Sequence, residues 1–349
     1  MKYLKQAWYA ASWAEDLGST LLGRTILGES VVLYRKSDGT PVAIGGTCPH
    51  RFAPLARGKR EGDTISCPYH GLTFDSTGQC VRNPHGDGRI PKNARVRSYP
   101  LAEKDTVIWV WMGDPAQANP ANIPDFPLIN DTVNYTRTAG QLLHMQLRWD
   151  LMLDNLLDLS HAGFLHLNNL GSEAFSRGRM EVIKQGAGLQ INNLYPNGLP
   201  AAVFVGTGAC AADLYVDYWV DVRWDPPGFM YFDAGITPTG RDRSEGIQLN
   251  SVQLITPETH TSTHYFWRLF RSYRLNDSSL TAAIEQMVSN AFRTEDEAMI
   301  AAVQANMAGQ ELMDLKPVML AVDGGALRAR RILDGLLRQE TERDASAAA

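Results

Sequence analysis

Cys48-Pro-His50 and Cys67-Pro-Tyr-His70 put two thiols and two imidazoles into two short loops, with sixteen residues between His50 and Cys67. Thiolates and neutral imidazoles are soft or borderline donors, so the chemistry this pattern permits first is metal binding. A structural zinc site accepts the same four donors, but zinc fingers usually keep the cysteines in one loop and the histidines in the other. Here each loop carries one of each. That arrangement suits an asymmetric [2Fe–2S] centre, with both cysteines on one iron and both histidines on the other. Two imidazoles in place of thiolates raise the potential, and such a centre can deliver electrons to a catalytic metal.

A second set lies in Asp154-Asn-Leu-Leu-Asp-Leu-Ser-His-Ala-Gly-Phe-Leu-His166, where two carboxylates, the Asn155 amide and two imidazoles sit among leucines. Asp154 and Asp158 are four apart and Asp158 and His161 three apart, so all three neighbour one another along one helical strip. His161 and His166 are five apart, about 140° on a regular helix. A π-turn, or a helix end at Gly163, would bring them together. On their own they read equally well as core histidines with ordinary hydrogen bonds. His85, in Asn83-Pro-His-Gly-Asp-Gly88, reads as a solvated loop histidine, and Cys80 and Cys210 read as small buried hydrophobes.

The elements that must carry these sets differ between the two halves of the chain. Residues 24–112 break into short β-rich runs (31–34, 42–44, 72–74 and 107–112) separated by Gly, Asp and Pro, an all-β pattern. Asp75-Ser-Thr-Gly78 reads as a hairpin turn in which Gly78 supplies a positive φ. Pro115, Pro120, Pro124 and Pro127 forbid a regular helix and mark a connector. Beyond it the pattern is α+β: a leucine-rich helix over 147–167, alternating segments at 214–224, 246–255 and 264–269, and a second helix from about 280 to 307. The expected organisation is an N-terminal all-β domain over 1–118, a linker over 119–130 within a second domain running from 119 to 349, and a small, polar, disordered tail over 340–349.

The 349 residues are enough for two packed domains, and 44% hydrophobic against 20% charged residues describes a chain that folds. A net charge of −5 gives no basic excess for a phosphate backbone, so nucleic acid is not an expected partner. The longest charge-free stretch, from Lys184 to Asp213, is broken by Gln190, Asn192, Asn193, Pro196, Asn197 and Pro200, so no membrane span is expected. Glu15 and Asp16 follow Lys2 and Lys5 without the apolar core of a signal peptide. With only four cysteines, reduced thiols or metal ligands outrank disulfides, and the expected location is cytoplasmic.

Cys48-Pro-His-Arg51 and Cys67-Pro-Tyr-His-Gly71 resemble the two halves of a Rieske motif, and Asp158 to His166 is similar to the Asp-x-x-His-x-x-x-x-His iron motif of the Rieske non-haem iron oxygenases. The resemblance extends over Trp8-Tyr9, Trp109-Val-Trp111, Thr256-Pro-Glu-Thr259 and His264-Tyr-Phe-Trp267. It is greatest to the oxygenase components of the vanillate and dicamba O-demethylases and of toluenesulfonate methyl-monooxygenase. It implies an all-β Rieske domain followed by a helix-grip catalytic domain, an antiparallel sheet around helices. Cys48, His50, Cys67 and His70 would hold the [2Fe–2S] cluster. His161 and His166 would hold a mononuclear Fe(II) with one carboxylate from a later helix, completing a 2-His-1-carboxylate triad.

Arg293-Thr-Glu-Asp-Glu297 is the candidate source of that carboxylate, and here two readings part. The apolar positions Leu280, Ile284, Met287, Val288, Ala291 and Ala298 define a core arc with Glu295 near its centre and Asp296 at its edge. Periodicity therefore selects Glu295. The resemblance selects Asp296, which a local helix distortion could rotate inward, and Glu297 is left as a solvated charge. The resemblance further implies that Asp158, in a catalytic set with Asn155, links a Rieske histidine of one subunit to an iron histidine of the next in a homotrimer.

The activity so implied is monooxygenation of a methyl or methoxy carbon of an aromatic acid with O2, O-demethylation with formaldehyde release being favoured. No Gly-x-Gly-x-x-Gly fingerprint is present, so a separate NAD(P)H-dependent reductase, with or without a ferredoxin, is the expected electron source. A ring-hydroxylating dioxygenase is the alternative, followed by a Rieske electron carrier without oxygenase activity and a zinc-stabilised binding protein. Asn250, Gln253 and His264 are the candidate substrate contacts, and Arg223, Arg268 and Arg271 are candidate partners for a substrate anion.

Overall fold

The computed structural model describes residues 3–348, which divide into two compact units. One holds residues 5–123 and takes in 256–259; the other holds 124–255, 260–348 and the first described residues. In the first unit three small sheets match the short β-rich runs. Trp8–Trp13 pairs with Val107–Trp111, which pairs with Leu101–Lys104; Glu29–Arg35 lies between Leu22–Ile26 and Pro41–Gly45. A third, four-stranded sheet runs from Lys59–Glu61 to Cys80–Arg82 and carries the second Cys/His loop. The turn at Asp75 is as expected, with Gly78 at φ +80° donating its N–H to the Asp75 carbonyl at 3.0 Å. Residues 256–259 join this unit through the Thr256 hydroxyl on the Ala10 carbonyl and through Leu27 and Gly28, whose N–H groups donate to Pro257 and Glu258.

The second unit is one large sheet with helices packed on it. From one edge the strands run Thr136–Arg137, Thr263–Arg271, Ile247–Pro257, Phe229–Pro238, Val216–Asp225, Gly188–Gly198 and Arg179–Gln185, and Gln141–Met145 also pairs with Thr263–Arg271. One face presents Val222, Trp224, Met230, Phe232, Trp267 and Leu269 to a core shared with Leu280, Ile284, Val288 and Phe292. The helices are α1 (Trp149–Leu157), α2 (Ala202–Gly206), α3 (Ser278–Ala291), α4 (Glu297–Asn306) and α5 (Gly324–Ala348). No helix among the described residues is long and apolar enough to cross a membrane.

Three expectations need correction. The helix expected over 147–167 stops at Leu157, because Asp158 leaves helical geometry (φ −123°, ψ +99°) and its carboxylate accepts the Ser160 N–H at 2.9 Å. That is an N-cap, and it starts a 3₁₀ turn, Leu159–Gly163. The helix expected from 280 to 307 is interrupted by a π-turn, Phe292–Asp296, between α3 and α4. The tail expected to be disordered continues α5 through residue 348, in a segment rich in the helix formers Glu, Arg and Ala. Its last residue, 349, lies outside the described residues.

Candidate metal centres

The two Cys/His loops of the first unit are built alike. Cys48 N–H donates to the Ala53 carbonyl and Cys67 N–H to Leu72, while Phe52 N–H and Gly71 N–H return to the carbonyls of Cys48 and Cys67. The fifth residue of each loop has a positive φ, 57° at Phe52 and 70° at Gly71. Each loop thus turns a buried cysteine inward and swings its histidine toward the rim. The Cys48 and Cys67 thiols lie against each other, and the His50 and His70 rings meet edge to face at 4.5 Å.

Thiols pair with thiols here and imidazoles with imidazoles. A tetrahedral ion would need all four donors within van der Waals reach of one point. The set of three donors that converges within 4.8 Å among the described residues lies in the other unit instead. Two separated pairs are what a binuclear cluster with unlike irons requires. Burial pushes the Cys48 thiol up to about 11, so a thiolate pair at this depth needs a cationic centre beside it. Partial burial and the neighbouring His50, His85 and Arg51 push His70 down, leaving it a neutral donor. His85 is exposed and also in contact: its Nε2–H reaches the His70 carbonyl at 2.8 Å.

In the second unit His161, His166 and Asp296 each bring one donor atom into a set within 4.8 Å. Asp296 Oδ1 is 3.2 Å from His166 Nε2 and 3.5 Å from His161 Nε2, and the two rings stand at 73° to each other. The five-residue spacing works because His161 lies within the 3₁₀ turn while His166 lies beyond its end at Gly163. His161 Nδ1 sits 2.6 Å from the Asp158 carbonyl. A carbonyl only accepts, so Nδ1 carries the proton and Nε2 offers its lone pair to the set. His166 Nδ1 is held at 2.5 Å by Glu295 Oε2, whose other oxygen accepts from Asn169 at 2.8 Å. Burial pushes both histidines down; at His166 the carboxylates of Asp296 and Glu295 more than offset this and draw it up, whereas His161 stays low.

Arg293-Thr-Glu-Asp-Glu297 lies across a π-turn, Phe292–Asp296, which gives its carboxylates different places. One extra residue in the turn shifts the following register by about 100°, so Asp296 takes the slot that a regular helix gives to Glu295. Glu295 still faces inward, far enough back to bond the outer nitrogen of His166. Glu297, expected as a solvated charge, instead accepts the Gln146 N–H at 2.9 Å. Asn155 donates to Asp296 Oδ1 at 3.1 Å. The carboxylate of Asp158 caps Ser160, so within the chain its contact to His161 is made by its main chain.

This set forms part of the wall of a cavity of about 160 Å³ whose other walls are mainly apolar. Of the three expected substrate contacts only Gln253 lines it. Asn250 points to the opposite face of the same strand, where its Oδ1 accepts the Ala234 N–H, and His264 is buried against His144. Arg223 and Arg271 are engaged elsewhere, Arg223 by the Asp225 carboxylate and the Asp125 carbonyl, Arg271 by the Asp277 carbonyl and the Thr281 hydroxyl. Sequence reasoning missed Asn169 and the His85 contact. Asn169 lies in a segment with no recognisable pattern, and a carbonyl contact leaves no mark in sequence.

The chain is similar to known proteins over nearly its whole length. Residues 7–100 match the Rieske [2Fe-2S] domain, and residues 145–339 match the vanillate O-demethylase oxygenase C-terminal domain. The chain is 37% identical to the oxygenase component of chloroacetanilide N-alkylformylase from Rhizorhabdus wittichii, over 97% of each chain. It is also 37% identical to the oxygenase component of dicamba O-demethylase from Stenotrophomonas maltophilia, over 97% of this chain and 99% of that one. The crystal structure of dicamba monooxygenase bound to 3,6 dichlorosalicylic acid superposes with a TM-score of 0.91 at 36% identity, covering 98% of this chain and 99% of that one. The chain belongs to the Rieske non-haem iron oxygenases, as an oxygenase component that works with separate electron-transfer partners and carries a [2Fe–2S] cluster and a mononuclear iron.

Proposed function

We propose that this chain monooxygenates a methyl or methoxy carbon of an aromatic substrate, with O-demethylation and formaldehyde release as the main reaction. One observation carries the reading: the His161, His166 and Asp296 donors converge on the wall of a mainly apolar, ring-sized cavity. An apolar cavity of about 150 Å³ admits a benzene ring. In this reading Cys48 and Cys67 hold one cluster iron, His50 and His70 the other, and His161, His166 and Asp296 the mononuclear iron. When bound, the two centres supply electron storage and oxygen activation.

The chain's own residues do the rest. Glu295 and the Asp158 carbonyl fix the histidine tautomers so that both Nε2 lone pairs face the set, Asn155 orients the Asp296 carboxylate, and the apolar wall holds the ring and excludes water. O2 takes up two electrons and two protons; one oxygen atom leaves as water and the other becomes a hydroxyl on the methoxy carbon. The resulting hemiacetal collapses to a phenol and formaldehyde.

The finer parts of the reading are a cytoplasmic location, which rests on cysteine usage, and a head-to-tail homotrimer in which Asp158 relays between copies. For the trimer, exposed Phe52 and Tyr69 flank the Rieske histidines, and exposed Met299, Val303, Met313 and Val318 surround a groove that includes Asp158 and His161. The test is a product screen of the iron-loaded protein with a reductase, offering aryl methyl ethers, toluates and ring-dioxygenation substrates. Formaldehyde and a phenol from the ethers are the expected products. A cis-dihydrodiol as the only product would replace this reading with ring dioxygenation, and zinc without acid-labile sulfide would remove both.

A further inference from the structure

The cavity's polar atoms say what kind of ring it takes. Besides the metal-site residues, the lining side chains with hydrogen-bonding groups are Tyr218, Trp219, Ser251 and Gln253, the rest being apolar, such as Leu156, Leu170 and Phe232. The Tyr218 hydroxyl donates to the Leu199 carbonyl and accepts the Ala201 N–H, and the Trp219 Nε1–H donates to Asp233, which leaves Ser251 and Gln253, on one strand of the sheet wall. No lysine or arginine lines it among the described residues. Arg268, although fully buried, alternates with Leu269, which does line the cavity, and so lies on the other face of the sheet. Gln253 is 5% exposed; its Nε2 donates to Ser251 Oγ at 3.0 Å and its Oε1 has no partner.

A buried amide oxygen left without a partner costs free energy unless something supplies a donor. If the amide is turned over, Ser251 donates to Oε1 and the free N–H₂ seeks an acceptor instead. Either way the group offered is neutral. A carboxylate or sulfonate entering here would give up its hydration with no cationic side chain to replace it. An uncharged ring with one amide, carbonyl or hydroxyl substituent satisfies Gln253 and leaves the apolar walls in contact with carbon.

We infer that the cavity selects a neutral aromatic methyl ether or N-alkyl compound bearing one hydrogen-bonding substituent, held by Gln253 and Ser251, over the corresponding aromatic acid. The inference rests on the proposed function and names the substrate class of that same site.

The test uses a matched pair, meta-methoxybenzamide and meta-methoxybenzoate, titrated calorimetrically into the iron-loaded protein at neutral pH. The amide is expected to bind at least about tenfold more tightly. Gln253→Leu should remove that advantage while leaving the affinity for anisole, which has no such substituent, within about twofold. Gln253→Arg should reverse the preference in favour of the benzoate. Equal or tighter binding of the benzoate by the unmodified protein overturns the inference and leaves the proposed function standing. If the amide binds more tightly but Gln253→Leu preserves its advantage, the assignment to Gln253 is overturned. Binding of neither ligand overturns this inference and the proposed substrate class together.

Discussion

At the scale of single residues the decisive pair is Asp296 and Glu295. Asp296 puts Oδ1 within 3.5 Å of both histidine Nε2 atoms, whereas Glu295 reaches only the outer nitrogen of His166. Asp296→Ala should therefore lose mononuclear iron and product while keeping the cluster's visible spectrum. Glu295→Ala keeps the ligand set but frees the His166 ring, and should weaken iron affinity or turnover by about 10–100-fold. Iron content and formaldehyde release in the two variants side by side check both, and loss of iron only in Glu295→Ala would reverse the assignment. Periodicity put Glu295 near the centre of the inward arc and Asp296 at its edge, because it assumes a helix without a π-turn, and the preference for Asp296 came from the family resemblance. The two Cys/His loops and the Rieske domain they belong to were legible at once, since residue types and spacing there are local. Asn250 and His264 were misplaced because alternation along a strand tells which residues share a face, not which face lines the cavity.

At the scale of elements, two short distortions build the iron set: the 3₁₀ turn after α1 and the π-turn between α3 and α4. The loop bearing His166 closes on that 3₁₀ turn at Gly171, where a Cβ would stand 1.8 Å from the Ala162 carbonyl oxygen and 3.1 Å from the His166 main chain. Backbone cannot yield there without moving a ligand. Gly171→Ala should accordingly lose mononuclear iron while the cluster in the other unit keeps its spectrum, and wild-type iron content would refute this dependence. A second constraint ties α1 to α5, where buried Arg330 grips Asp154 through both oxygens and also bonds Asp150. Burial lifts the Asp154 carboxyl to about 6 despite Arg330, whereas at Asp150 Arg148 and Arg330 more than offset burial and hold the carboxyl below its ordinary 3.8. A carboxyl lowered on folding adds stability that is complete above its unfolded value and fades as pH falls through the folded one. Arg330→Met should thus cost about 3–5 kcal/mol at neutral pH, seen as a lower Tm. Less of that deficit should remain once the carboxylates are protonated. The helices around these residues were legible in outline, but their ends were not: Asp158 stops α1 by capping Ser160, a choice between two hydrogen-bond partners that apolar spacing does not record.

For the whole molecule, the two units were legible as a change from short β-rich runs to mixed α+β patterning, with prolines between. The return of residues 256–259 to the first unit was not, since it depends on hydrogen bonds between segments some 230 residues apart, such as Leu27 to Pro257. How electrons reach the iron belongs to this scale, and mixed assemblies decide it. Cys67→Ser disables the cluster and Asp296→Ala disables the iron site, so chains carrying either substitution should be inactive alone. In a head-to-tail ring each cluster serves the iron of the next chain, so a Cys67→Ser chain beside an Asp296→Ala chain regains a working pair. Random assembly at equal expression makes half of the donors and half of the acceptors competent, predicting about a quarter of the wild-type rate from the co-expressed mixture. Transfer confined within each chain predicts none, because every chain then lacks one centre. Formaldehyde release from the co-expressed mixture, with iron and sulfide content measured on the same sample, separates the two outcomes. A rate at background with both metals loaded in the expected half-proportions would withdraw the relay through Asp158 and leave the chemistry of the cavity untouched.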